Sequence, residues 1–252
     1  MEPGRIIDSS LVPKTEKIYQ IKEKNYELSD SNHDIGNYLF LLNIQSYEII
    51  KILIKSGIYK WEKEYSLPEG TKLIMVGENY KNGGKDNTVT FFMSEKHSFY
   101  SVDLKKEFSA KNRLIINKDS RVEIAGINFI EKINDLREVA TNSSKIGVFN
   151  LVGSNPIFCL SQCSNELSTS PFINVASSSI GTVFINGHTY FSKNIESQQK
   201  EVFVVDTNYG WHSSGNKAIV ITSKYYTLGE GCFFKKNDNI EYHDKVEEKY
   251  MK

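Results

Sequence analysis

The residues with the most chemical potential lie in "GHTYFSKNIESQQKEVFVVDTNYG", residues 187–210. The pattern predicts that His188 opens a strand and that Asp206 closes the next one. A cysteine hydrolase needs a thiolate, an imidazole to take its proton, and a carboxylate that fixes the imidazole tautomer. His188 and Asp206 fit the last two roles, and Cys163 or Cys159 is the candidate nucleophile. Cys232 follows Asp206 and stands in the wrong order. The competing reading is a plain hairpin whose His and Asp sit at the surface, with the cysteines as core or near-surface thiols.

That strand pair resembles the His and Asp half of papain-like bacterial effector proteases. The sequence departs from that family at the nucleophile, which the family carries much further upstream on a helix ahead of the sheet. Other chemistry is weaker. The five histidines His33, His97, His188, His212 and His243 have no paired zinc spacing, and no metal site is expected. In "SVDLKKEF", Asp103 and Glu107 with Lys105 or Lys106 have the composition of a Mg²⁺-dependent nuclease site, but a half-exposed strand and turn explains them as well. "VGENYKNGGK", around Gly77, Gly83 and Gly84, lacks the strand–loop–helix context of a phosphate cradle and reads as a hairpin turn.

Composition narrows the classes. The chain has 252 residues, with 31 Lys plus Arg against 31 Asp plus Glu. A net charge of zero offers no excess of cations to exchange for phosphate counterions, so specific nucleic-acid binding is not expected. Zero charge also removes the mutual repulsion that keeps copies of a protein apart. Three cysteines without framework spacing suit a reducing compartment. Neither a signal peptide nor a membrane-spanning run is expected.

The elements that would position these residues are mostly strands. Residues 1–34 are polar and read as an N-terminal arm with helical spacing from Lys14 to Leu28. Tyr38 to Ile44 is an apolar run that suits a buried strand or the lead-in to a helix. Ser46 is placed to cap a helix bearing Ile49, Ile50, Leu53 and Ile54 on one face, with Gly57 at its exit. "TKLIMVGENY" and "NTVTFFMSEK" read as strands flanking an Asn82-Gly83-Gly84 turn, and "SFYSVDL" as another strand. In "RLIINKDSRVEIAGINFIEKINDLREV", two strands flank Lys118, Asp119 and Ser120. Asn128, with Glu131 three residues on, is placed to cap a helix carrying Phe129, Ile133, Leu136 and Ala140.

Further strands are expected in "KIGVFNLV", "GTVFING", "HTYFSK", "KEVFVVDT", "NKAIVITS" and "GCFFKK", with Asn186-Gly187 as a hairpin turn. "SNELSTSPFINVASSS" reads as a polar connection, and "NDNIEYHDKVEEKYMK" as a terminal helix or tail. No internal repeat is visible. These features predict an α+β, mainly β chain: an antiparallel β-sandwich with two or three outer helices, an arm over 1–34, and a single β-rich domain over 35–252.

Within this pattern, "LIINKDSRVEIAGINFIEKINDLRE" (114–138) resembles a segment of cypovirus polyhedrins, the proteins that crystallise around virions in infected insect cells. The shared features are a strand ending in Asn-Lys, a polar turn with Ser, a short strand into Gly-Ile, and a helix ending in Arg-Glu. "NGHTYFSKNIESQQKEVFVV" is a fainter second likeness. The resemblance implies a self-assembling structural protein without catalytic residues. Its subunit would be a β-sandwich with a helical arm clamping neighbours, forming trimers packed with virus particles into cytoplasmic occlusion bodies that dissolve in alkali. It implies no required cofactor, although the family binds nucleotides within the lattice, a role assignable to no residue here. The alternative function is the cysteine hydrolase using Cys163 or Cys159, His188 and Asp206.

Overall fold

The computed structural model describes residues 23–30, 34–79, 87–94, 99–101, 106–108, 113–132, 148–167, 172–176, 179–193, 202–207, 218–222, 227–230, 232–234 and 240–243. It opens with β1 (Glu23–Leu28) and α1 (Ile35–Leu41). The chain then winds through three strand positions in turn, coil after coil. The first coil is β2 (Ile49–Ile54), β3 (Gly57–Lys60) and β4 (Tyr65–Leu67). The second is β5 (Lys72–Gly77), β6 (Val89–Ser94) and β9 (Leu114–Ile116), with β7 (Phe99–Ser101) and β8 (Lys106–Phe108) inserted before β9. Next come β10 (Arg121–Ala125), β11 (Ile127–Lys132) and β12 (Phe149–Leu151), then β13 (Ser154–Ser161), β14 (Ser164–Leu167) and β15 (Ile173–Val175). The last coils are β16 (Ile180–Asn186), β17 (Tyr190–Lys193) and β18 (Val202–Thr207), then β19 (Ala218–Thr222), β20 (Thr227–Leu228) and β21 (Cys232–Phe234), followed by β22 (Ile240–His243).

Each strand pairs with the strand one coil above and one coil below, not with its neighbour in sequence. The result is three sheets along the coil axis. Sheet A is β1-β2-β5-β10-β13-β16-β19-β22, sheet B is β3-β6-β11-β14-β17-β20, and sheet C is β4-β9-β12-β15-β18-β21. Every pairing in them is parallel, and among the described residues only β7 and β8 pair antiparallel. This is a parallel β-helix, a solenoid in which each coil buries its apolar face only by stacking on the next.

The antiparallel β-sandwich with outer helices is therefore wrong. Most strands expected from sequence exist, but they are joined by corners between sheets, not by hairpins. Gly187, expected in a hairpin, leads from β16 in sheet A to β17 in sheet B. The segment after Ser46 is β2, because its run of β-branched Ile prefers extended backbone. Ile50, Ile52 and Ile54 point inward while Ile49, Lys51 and Leu53 face out, and Gly57 opens β3.

The segment after Asn128 is also a strand: β11 runs to Lys132, and the rest of the expected helix lies outside the described residues. Asn128 caps no helix there. Its Nδ2 donates to the Asn87 carbonyl one coil below, and it accepts from Ser164 Oγ one coil above at 2.6 Å. Residues 23–28 of the expected helical arm form β1, in register with β2. The polar connection 164–179 holds β14 and β15, and the C-terminal segment holds β22. The turn at Asn82-Gly83-Gly84 lies outside the described residues.

The one helix among the described residues is α1, which falls in the Tyr38–Ile44 region. Asp34 is its N-cap and accepts from the Asn37 amide at 3.0 Å. Ile35 and Leu39 turn inward and join the core at the β1–β2 end of the stack. No described helix is long and apolar enough to cross a membrane.

The core is a column of rings. Trp61 meets Phe91 edge-on at 5.5 Å, Phe91 meets Phe129 at 5.6 Å, and Phe129 meets Phe149 at 5.7 Å. Phe149 also touches Trp61, Phe158 and Phe172 with centroids 5.7, 4.6 and 5.0 Å away, and Phe172 passes the contact on to Phe191. Edge-to-face pairs of this kind add about 1 kcal/mol each beyond the area they bury. Corners are tight where coils touch: a Cβ at Gly77 would collide with the Gly126 carbonyl, and Gly126 (φ +69°) is the whole connection between β10 and β11. The connections from sheet B to sheet C are longer in two adjacent coils, over residues 95–113 and 133–148.

Phe149 touches rings from three coils, so Phe149→Ala is expected to cost about 3–5 kcal/mol. Guanidinium unfolding followed by tryptophan fluorescence should register this as a large fall in the transition midpoint.

Candidate functional site

Sheet A differs from a half-buried sheet because its outer face carries apolar side chains among its charged and polar ones. Inward rows such as Ile50, Leu73, Val122, Phe158 and Val183 fill the core. The outward rows follow from the same register. One holds Lys51, Ile74, Glu123, Cys159 and Phe184, and its neighbour holds Leu53, Val76, Ala125, Ser161 and Asn186. The third holds Glu23, Ile49, Lys72, Arg121, Ile157 and Thr182. The facing rows of the other sheets include polar ladders instead: Asn128 with Ser164 in sheet B, and Asn150 with Asn174, 2.6 Å apart, in sheet C.

A shallow depression of about 220 Å³ sits in the middle of this outer face. Its walls include Ile74, Val76, Glu123, Cys159, Ser161 and Asn186. On the same face Leu53 and Ile180 project, each more than a third exposed. The charges are tied together in place. Glu123 accepts from Arg121 Nε at 2.6 Å and pairs with Lys72 at 3.0 Å, and Lys51 pairs with Glu23 at 2.7 Å. Exposed pairs of this kind contribute little to stability, about 0–1 kcal/mol. Their effect is to make the face electrically neutral at short range.

Of the residues proposed for cysteine hydrolysis, Cys163 and His188 lie at the same A–B corner on adjacent coils, where the Gln162 amide donates to the Gly187 carbonyl at 2.8 Å and the Tyr190 amide to the Cys163 carbonyl at 2.9 Å, while Cys159 and Asp206 lie in sheets A and C. Cys159 faces out from sheet A and is partly exposed, while Cys163 points into the core at the A–B corner. Cys163 Sγ donates to the Ser161 carbonyl at 3.2 Å. His188 does not open a strand: it is exposed in the turn between β16 and β17 with φ +45°. Asp206 lies in β18 of sheet C, paired with Asn174 of β15. Burial pushes the Cys159 thiol up to about 11 and the Cys163 thiol up to about 12, and it raises Cys232 as well. Such thiols are protonated and poorly nucleophilic at neutral pH.

The nuclease candidates are also not gathered into a described site. Lys106 and Glu107 are in β8, and Asp103 and Lys105 lie outside the described residues. Among the described residues, no three or more His, Cys, Asp or Glu side chains cluster as a metal site. Gly77 ends β5 at a close coil-to-coil contact, and Gly83 and Gly84 lie outside the described residues.

Sequence reasoning listed β5 and β16 as strands, took β2 for a helix and passed over β13, without noticing their shared two-sidedness. The signal was present in "IIKILI", "KLIMVG", "PIFCL" and "TVFI", whose near-continuous apolar character marks strands covered on both faces. The fold is a β-solenoid whose sheet A carries apolar side chains on its outer as well as its inner face. Compared with known families, curated proteins and solved structures, the chain has no significant match.

Two outcomes follow from the thiols. At pH 7.5 the folded protein should react with a mild alkylating agent much more slowly than free cysteine at all three positions, with Cys163 protected until unfolding; mass mapping of the adducts reports this. Stability should also fall in alkali. The unfolded thiols titrate near 9.0 and the folded ones near 11 and 12, so above pH about 9 the native state holds protons that the unfolded chain has lost. Tyr38, Tyr59 and Tyr65 are raised by burial, and Lys24, Lys55 and Lys118 by the hydrogen bonds they donate to carboxylates, so all six act with the same sign at higher pH. Denaturant midpoints should hold from pH 6 to 8.5 and decline steadily from about pH 9 upward.

Proposed function

We propose that this chain is a structural protein that works by self-assembly. The reading keeps the class of role that the polyhedrin resemblance implies and drops the β-sandwich that came with it. The observation that carries it is charge pairing over the first three coils. Lys24 pairs with Glu48, Lys51 with Glu23, Lys55 with Glu27 and Glu78, Lys72 and Arg121 with Glu123, and Lys118 with Glu69. The zero net charge of the whole sequence is thus accompanied by local neutrality at that end of the stack. Copies of such a rod meet little electrostatic resistance to side-by-side packing.

Rigidity supports the same reading, since an aromatic column and continuous ladders give each copy a fixed surface to present. The cysteine hydrolase alternative draws little support from the geometry: its thiols are held protonated, its His lies in the turn between sheets A and B, and its Asp lies in sheet C.

The purified chain is expected to sediment as assemblies at pH 7, and expressing cells to contain particles visible by light microscopy. Scattering should fall as pH rises through about 10–11, where lysines lose charge and tyrosines gain it. A protein that stays monomeric at millimolar concentration and neutral pH would overturn the reading.

A further inference from the structure

We propose that the outer face of sheet A is the contact between two copies of this chain. The inference rests on the self-assembly reading and names its surface. An all-parallel sheet is ordinarily covered on both sides, and here the inner side is covered by the core while Ile49, Leu53, Ile74, Val76, Ile157 and Phe184 face outward. Its size suits a partner of the same kind. Eight strands spaced about 4.8 Å apart, each about 18 Å long, present close to 700 Å². A stable protein–protein contact covers about 800 Å² per partner.

Charge selects the occupant. Over β1 to β16 the face carries Glu23, Glu27 and Glu123 beside Lys51, Lys72 and Arg121, so both signs are present in equal number among its described side chains. A partner of one sign, such as a nucleic acid or an acidic peptide, would meet as much repulsion as attraction. A second copy brings the same balanced set and can oppose unlike charges.

Shape agrees with charge. Projecting Leu53 and Ile180 lie on the same face as the 220 Å³ depression, so one surface carries both knob and hole. A two-fold contact needs that self-complementarity, because each patch must meet itself.

The test compares the wild type with Ile74→Lys/Phe184→Lys by sedimentation equilibrium at pH 7, with circular dichroism as the check on folding. The double variant places two unpaired cations in the middle of the face and should weaken association roughly hundredfold. A second variant, Ser161→Arg/Asn186→Arg, alters outward polar positions only and should give the same direction of change. Cys159 reports independently of any substitution: its alkylation at pH 9 should be several-fold slower in concentrated than in dilute wild-type protein. If the wild type assembles but both folded variants assemble equally well, or if Cys159 reacts at the same rate at both concentrations, the surface is wrong and the self-assembly reading stands. If the wild type is monomeric throughout, the self-assembly reading itself falls.

Discussion

Each coil of this protein leaves a full set of backbone amides and carbonyls pointing along the axis, and only the next coil can satisfy them. That requirement governs everything else. The strands must stay parallel and in register, so a side chain is bound to the same row as its counterpart one coil away. Phe91 meets Phe129 because their coils are stacked, and Asn150 reaches Asn174 for the same reason. Burial then follows by rows: inward rows make one continuous core, and outward rows make three walls with distinct chemistry.

Much of the secondary structure was legible. The strands at 72–77, 89–94, 114–116, 121–125, 180–186 and 202–207 fall within expected segments, because β-branched and aromatic residues bounded by turn signals are a strong local cue. Their pairing was not legible. A hairpin and a solenoid corner use the same residues, since Gly187 supplies positive φ for either. Only the partner one coil away distinguishes them, and that partner lies tens of residues off. The coils also differ in length and share no fixed sequence period, so the repeat exists in space without being visible along the chain.

The two mistaken helices have a common cause. "SYEIIKILI" and "NFIEKINDL" each carry capping residues and apolar spacing that a helix would accept. In the solenoid, Glu48 instead pairs with Lys24, and Asn128 bonds to coils on either side. Tertiary stacking offers these polar groups partners that outweigh the local cap. The candidate catalytic residues are placed by the same stacking: the chain passes through all three sheets from β16 to β18, so His188 falls at the A–B corner one coil from Cys163 and Asp206 falls in sheet C.

The uneven connections between sheets B and C have a further consequence. Gly126 alone joins β10 to β11, whereas residues 95–113 separate β6 from β9 and residues 133–148 separate β11 from β12. Because the strands at both ends of such a connection are fixed to their rows by neighbouring coils, the chain can gain or lose length there without displacing a single rung. Conservation of form and freedom of sequence are thus assigned to different corners of the same coil. A lineage of such proteins can diverge at that one edge while the other two walls remain superimposable, which makes the edge the natural place for related chains to become different from one another.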